Sequence, residues 1–425
     1  MRMSRLSPQA RLAAVAIAVL LVLGGAVYAL FLRGGDDEPT AEAGSRFGDE
    51  GAAGSGGTLL DTLAPVLGAR VQSRRTGSDP PPPSEAELRR APGDPVAGLF
   101  LVGFRGTLRD TAFLERLAAR PYGGILLTKA NYVQPQQLSG LTAKIQEVAR
   151  DAGHPAPLVA AQQEGGEFNA FGNLAPDGQV DVGEGSRGSI ARSARTTAEQ
   201  LKALGVGMNL APNADIAVAG GPGQGRAFSD SAAKVASAVG ATVAEYNSAG
   251  VAAAVGPFPG TGAASQDPDA GPAPVGLSLE ALRKNDLKPF AAVANGSDKA
   301  PAMQMSNAIY VAFDGVTPAT VLPEAIRELR DRLDFDGAII SADLVATTAT
   351  AGGSVGEAAV AALKAGVDML VIPGGRAQQD EAYRAVVAAV RSGAISPGRV
   401  VAALERIAAL RRFTRETREP ARAAS

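Results

Sequence analysis

The chain has 425 residues, 46% hydrophobic and 20% charged, with a net charge of −2. Such a length holds two ordinary domains or one large α/β barrel with tails, and the near-neutral charge argues against a general nucleic-acid binder, which needs a basic surface. With no cysteine, no tryptophan and a single histidine, His154, disulfides and thiol catalysis are excluded, an aromatic carbohydrate platform is disfavoured, and neither a metal nor a cofactor is expected.

Residues 12–32, "LAAVAIAVLLVLGGAVYALFL", form 21 residues without a charge. At about 1.5 Å per residue they span roughly 30 Å, the thickness of a bilayer core. Arg2, Arg5 and Arg11 precede them, and Asp36, Asp37 and Glu38 follow. The positive-inside rule then makes residues 1–11 cytoplasmic, 12–32 a transmembrane signal anchor, and the remainder extracytoplasmic, on a single-pass protein of the cell membrane. A cleaved signal peptide is the competing reading, with Ala41-Glu42-Ala43 as its site. The apolar stretch is longer than a usual signal core, and that site lies far beyond it.

Residues 33–94 read as a flexible Gly/Pro-rich linker, disordered in character and stiffened locally by "SDPPPPSEAE". Inside it, "TLLDTLAPVLGARV" is apolar, but Pro65 interrupts any helix.

From Pro95 onward, short apolar runs alternate with amphipathic stretches. The expected strands are 97–104, 123–128, 157–163, 206–212, 251–258, 301–306, 337–343 and 368–374. Helical patterns lie between them, among them 136–153, 230–250 and 356–366, each closing on a glycine. Eight nearly continuous apolar strands, most followed by a helix, predict a parallel sheet covered by helices. Eight units close a (β/α)8 TIM-type barrel, placed here over residues 95–415, with 416–425 a disordered tail. A doubly wound open sheet is the alternative, weakened because no G-x-G-x-x-G follows the first strand. The final helical stretch, with Val400, Leu404, Ile407 and Leu410 at helical spacing, reads as packing on the barrel. His154, in a Gly-His-Pro turn before the third strand, reads as a surface residue.

A barrel carries its site at the C-terminal ends of its strands. There the chain reads "QQEGG" (162–166), "GVGMNLAPNADI" (205–216), "GRAFSD" (225–230), "FPGTG" (258–262), "NDLKPF" (285–290), "SNAIY" (306–310) and "ISADL" (340–344). In that order these segments resemble the N-terminal barrel of glycoside hydrolase family 3, in particular its β-N-acetylhexosaminidases. The corresponding family motifs are D-Q-E-G-G, N-L-A-P-x-x-D, R-S-F-G/S-D, K-H-F-P-G-H-G, D-L-x-P-F, S-H-A-I-Y and S-D-D/A-L. The resemblance implies retaining hydrolysis of β-linked N-acetylglucosamine by an Asp nucleophile, with a His as general acid/base.

Carried over by position, the resemblance puts Ala342 where the nucleophile stands and Asp269 where the acid/base His stands. Gly256-Pro257 occupies the place of the Lys-His pair, Thr261 that of the second His, Gln162 that of the opening Asp, and Asn307 that of the S-H His. Arg226 is kept as a sugar contact, with a salt bridge to Asp230 or Asp215 as its other reading; Lys129 and Asn131 stand for a strand-2 Arg-x-Asn pair. Gln162 and Asn307 complete the expected substrate-binding set. Candidate acids are Asp269, Asp267 and Asp343. Asp267 and Asp269 also read as solvated aspartates turning around Pro268. Asp343 should point away from the direction of Ala342, because alternate strand residues face opposite ways, unless a bulge re-aims it. Glu164 reads as a buried support that bonds loop backbone, and Asn213 and Asp215 as rim braces.

Two functions follow: a catalytically degenerate barrel that binds an N-acetylglucosamine-containing glycan or a cell-envelope protein, or an active hydrolase using Asp269, Asp343 or Glu164.

Overall fold

A computed structural model of the chain describes residues 94–107, 111–174 and 177–416. The expected cytoplasmic segment 1–11, the anchor 12–32, the linker up to residue 93 and residues 417–425 lie outside the described residues. Among the described residues, no helix is long and apolar enough to cross a membrane.

Eight parallel strands close a barrel in strictly sequential order. They are β1 (Phe100–Gly103), β2 (Gly124–Leu127), β3 (Leu158–Ala161), β4 (Met208–Asn209), β5 (Ala252–Phe258), β6 (Ala302–Met305), β7 (Ala338–Asp343) and β8 (Met369–Ile372). Each lies inside a run expected from sequence, because strands covered on both faces must be apolar throughout. Registers such as Val102↔Ile372, Ile125↔Val159 and Ile339↔Met303 run round the ring without an edge.

The covering layer includes α1 (Thr111–Ala119), α2 (Pro135–Asp151), α3 (Arg187–Ala203), α4 (Ala232–Ala249), α5 (Leu344–Ala351), α6 (Val355–Ala365), α7 (Arg376–Arg391) and α8 (Pro397–Glu416). Their ends follow local chemistry. Pro135 opens α2 at the one place where a missing N–H costs nothing. Ser354 and Glu357 form a reciprocal capping box on α6. Gly250 stops α4 at φ 74°, a left-handed conformation that costs a side-chain-bearing residue energy. The helix α8 extends through Glu416, one residue into the expected tail, and buries Val400, Ile407 and Leu410 as its spacing predicts.

The bottom of the barrel is tied by one carboxylate. Asp368, fully buried just before β8, accepts from Arg330 at 2.6 Å, Arg399 at 2.6 Å and Arg406 at 3.3 Å, and from the Ile339 N–H at 2.9 Å. Arg399 and Arg406 lie on α8, so this cluster locks the last helix under the ring. At the start of the domain, Asp94 accepts from the Val96 and Ala97 N–H groups and from the Tyr383 hydroxyl.

Candidate active site

At the C-terminal mouth, β3 to β7 and their loops line a half-open cavity of 80 Å³. Its walls include Gln162, Glu164, Arg226, Asp267, Asp269, Asn307, Ala342 and Asp343. Small-molecule sites occupy about 300–1,000 Å³, and a water's share of the liquid is about 30 Å³. This space suits a few waters.

Its side chains are spent on one another. Glu164, at the turn after β3, receives a bidentate grip from Arg226, with Nε at 2.6 Å and Nη2 on the other oxygen, and a third bond from Gln162 Nε2 at 2.8 Å. Arg226 also lies over the Phe168 ring at 5.2 Å. Burial alone would lower its pKa, but Glu164, with Asp215 and Asp269 nearby, raises it above the ordinary arginine value. Arg226 therefore pairs with Glu164, not with Asp215 or Asp230 as the sequence suggested. Glu164 in turn serves side chains, where loop backbone was expected.

The expected turn around Pro268 is present: the Asp269 N–H donates to Asp267 Oδ1 at 3.0 Å. Asp269 is exposed as a residue, yet its Oδ1 turns in to accept from Asn307 Nδ2 at 2.8 Å. Burial of that carboxyl pushes its pKa up, Asn307 opposes the rise and the Asp267 charge adds to it. Both amide hydrogens of Asn307 are committed, because it also donates to the Asp343 carbonyl at 3.1 Å, and its oxygen accepts from Thr347 at 2.7 Å.

Asp343 shows what a strand end can do. The register of β7 against β8 shifts between Ile340 and Asp343, so the bulge that would re-aim this residue exists. Its carboxylate nevertheless caps α5, accepting from the Val345 and Ala346 N–H groups at 2.8 and 3.3 Å. Burial outweighs those bonds and pushes its pKa up to about 6. Ala342, 5% exposed, presents its methyl group to the cavity, and its N–H is held by Thr320 Oγ1 at 3.0 Å.

Beneath the cavity, Asp215 accepts from the Thr261 N–H and from Thr261 Oγ1 at 2.6 Å, while Asn213 is clasped by Gln179 in both directions at 3.0 Å. Both brace the rim, as their positions suggested. Lys129 and Asn131 do not line the cavity. Asn131 is fully buried and holds the loop after β1, donating to the Phe104 and Gly106 carbonyls at 3.1 and 2.8 Å and accepting from the Thr128 N–H at 2.9 Å. Lys129 stands exposed on the adjoining turn. His154 meets the Ala118 carbonyl at 2.8 Å, far from the mouth. Sequence reasoning passed over Gln179 and Thr347; isolated polar residues inside helices carry no local mark of their partners. Among the described residues, no group of three or more His, Cys, Asp or Glu side chains could hold a metal.

Gly256 explains a lost side chain sterically. A Cβ there would lie 2.9 Å from the Gln304 Cβ and 3.0 Å from its carbonyl oxygen. β5 and β6 approach too closely at this point for any longer residue without movement.

Residues 100–410 match the family model described as the glycosyl hydrolase family 3 N-terminal domain. The chain belongs to glycosyl hydrolase family 3. It is 30% identical over 309 residues to a β-hexosaminidase of Methylococcus capsulatus, covering 70% of this chain and 87% of that one. It is 32% identical over 302 residues to an uncharacterized secreted glycosyl hydrolase of Arthroderma benhamiae, covering 68% and 84%. Among solved structures, a family 3 β-N-acetylglucosaminidase from a Paenibacillus species superposes with a TM-score of 0.72 at 29% identity, over 78% of this chain and 64% of that one. The barrel is thus β-N-acetylhexosaminidase-like in sequence and in fold.

Proposed function

We propose that this protein is a catalytically silent member of its family, anchored by residues 12–32 to the outer face of the cell membrane, and that it works by binding rather than by hydrolysis. The observation that carries the reading is Ala342: the atom facing the cavity is a methyl carbon, which cannot attack a sugar. The surrounding carboxylates are engaged elsewhere, Glu164 with Arg226, Asp343 with a helix end, and Asp269 with Asn307. General acid/base catalysis alone is worth about 10²–10⁴-fold, and this chain lacks the His that the resemblance assigns to that role as well as the nucleophile. Relatives named as β-hexosaminidases and β-N-acetylglucosaminidases support an N-acetylglucosamine-containing glycan as the ligand class. A cavity of 80 Å³ limits that glycan to the rim, where Arg226 and Gln162 stand; a cell-envelope protein is the other partner this surface accommodates.

The raised pKa of Asp269 favours a second reading, in which a carboxylic acid protonates a leaving oxygen and an activated water attacks without a covalent intermediate. One assay decides. The purified chain is incubated with a chromogenic β-N-acetylglucosaminide and titrated with N-acetylglucosamine and muropeptides by calorimetry. Heat of binding without turnover, lost in Arg226→Ala, is the expected result. Turnover that disappears in Asp269→Asn would establish the hydrolase instead.

A further inference from the structure

The mouth holds a second cavity, larger than the first. Between the ends of β1 and β8 lies a cavity of 530 Å³, within the range of small-molecule sites. Three guanidinium groups stand on its walls: Arg105 after β1, Arg116 on α1 and Arg376 opening α7. Their neutralisation is incomplete. Arg116 donates at 3.1 Å to Gln379 Oε1, a neutral amide. Arg376 reaches Asp380 at 3.3 Å, but Asp380 also serves Arg120 at 2.8 Å, so one carboxylate answers two cations. Among the described residues Arg105 has no ion-pair or hydrogen-bond partner. Among the described wall residues Asp343 is the only carboxylate, and its Oδ1 is committed to the N-terminus of α5. An adjoining cavity of 470 Å³ shares Arg116 and Arg376 and adds Arg120 and Arg384.

Between the arginines the lining is Gly103, Gly374 and Gly375 beside the apolar Phe104, Phe113 and Pro373. Gly375 has an ordinary φ of −69°, and a Cβ built on it would meet nothing within 4 Å. Neither strain nor crowding demands glycine here, so its missing side chain leaves room for something else. We propose that this cavity binds a phosphoester-bearing ligand, with Arg105, Arg116 and Arg376 as the donors to its oxygens. A carboxylate offers two oxygens, whereas three guanidinium forks match the larger acceptor set of a phosphate. The remaining volume accommodates the sugar- or polyol-sized body that carries it. The inference stands apart from the silent-barrel reading, since it uses none of Arg226, Asp269 or Ala342.

The test titrates the full chain by calorimetry with glucose 6-phosphate, with poly(glycerol phosphate) and with glucose as the neutral control. The expected result is saturable, salt-sensitive binding of a phosphoester and none of glucose; the tighter probe tells whether the source is a free sugar phosphate or a surface polymer. Arg116→Gln and Gly375→Asp should each weaken binding at least tenfold. The second variant guards against misfolding, because aspartate is favoured at a helix N-cap and its melting temperature should hold or rise. Arg195→Gln, at an exposed arginine of α3 that lines neither of these two cavities, should bind as the parent does. No binding of either phosphoester at about 1 mM, binding that survives both cavity variants, or binding lost equally in Arg195→Gln would each overturn the proposal.

Discussion

Asp343 lies one position from the alanine that faces the cavity, and its neighbours decide its role. Strand alternation turns it from Ala342, a bulge loosens that rule, and two backbone N–H groups of α5 then claim its carboxylate. In sequence this residue is an aspartate before an apolar helical run, an N-cap pattern, and at the same time a carboxylate beside the nucleophile position. Asp343→Ala should therefore cost about 0.5–2 kcal/mol in a denaturant melt, and Asp343→Asn much less. On the proposed reading, Ala342→Asp should not confer hydrolysis of the chromogenic substrate, because the acid aligned with the family's His, Asp269, is held by Asn307. Asp286 sets a pH dependence. It is buried at 6% exposure, and burial, with the Asp215 charge adding, raises its pKa to about 6. Its unfolded value is near 3.9, so the folded chain holds the proton between those values and loses stability as pH rises from about 4 to 6. Asp286→Asn should raise stability at pH 7 by about 2 kcal/mol and lessen that slope in melts taken from pH 4 to 7, the remainder belonging to Asp343, which is raised to the same value.

Among the elements, β8 and α8 depend on each other through Asp368. Three arginines around one buried carboxylate leave excess positive charge, and burial with the neighbouring Arg406 and Arg399 holds Arg330 down to about 10 despite the pull of Asp368. Removing the carboxylate strands those cations. Asp368→Ala should destabilise the domain by about 3–5 kcal/mol, the usual penalty for an uncompensated buried charge, read as a lowered denaturant midpoint. The strand pair β5–β6 makes the opposite demand. Gly256→Ala should cost about 1–3 kcal/mol by forcing Gln304 to shift. That glycine looked in sequence like simple loss of a lysine; the close approach that requires it involves residues 48 positions apart and has no local signature.

For the whole molecule, closure of the ring couples the first strand to the last. β1 pairs with β8, and α8 reaches back to β2, where Arg411 donates to the Gly123 carbonyl at 3.0 Å. A chain truncated before Pro397 should show no cooperative thermal transition by circular dichroism, where the full chain shows one, because removing α8 strips Arg399 and Arg406 from Asp368 and Arg399 from the Val367 carbonyl. The rim holds two cavities of unlike size. The cavity that the family resemblance points to holds 80 Å³, while the arginine-lined one between β1 and β8 holds 530 Å³.

Sequence by itself determined the eight-stranded barrel, its order, the span of several helices and the absence of a nucleophilic oxygen at Ala342. These follow from apolar runs, glycine stops and residue identity, which are local or countable. Only the tertiary structure decided which polar groups at the mouth are free. Arg226 and Glu164 are 62 residues apart, Asn307 and Asp269 38 apart, and Asp215 and Thr261 46 apart. Such pairings arise when strand ends converge, and the desolvation they relieve does not exist until the ring has closed.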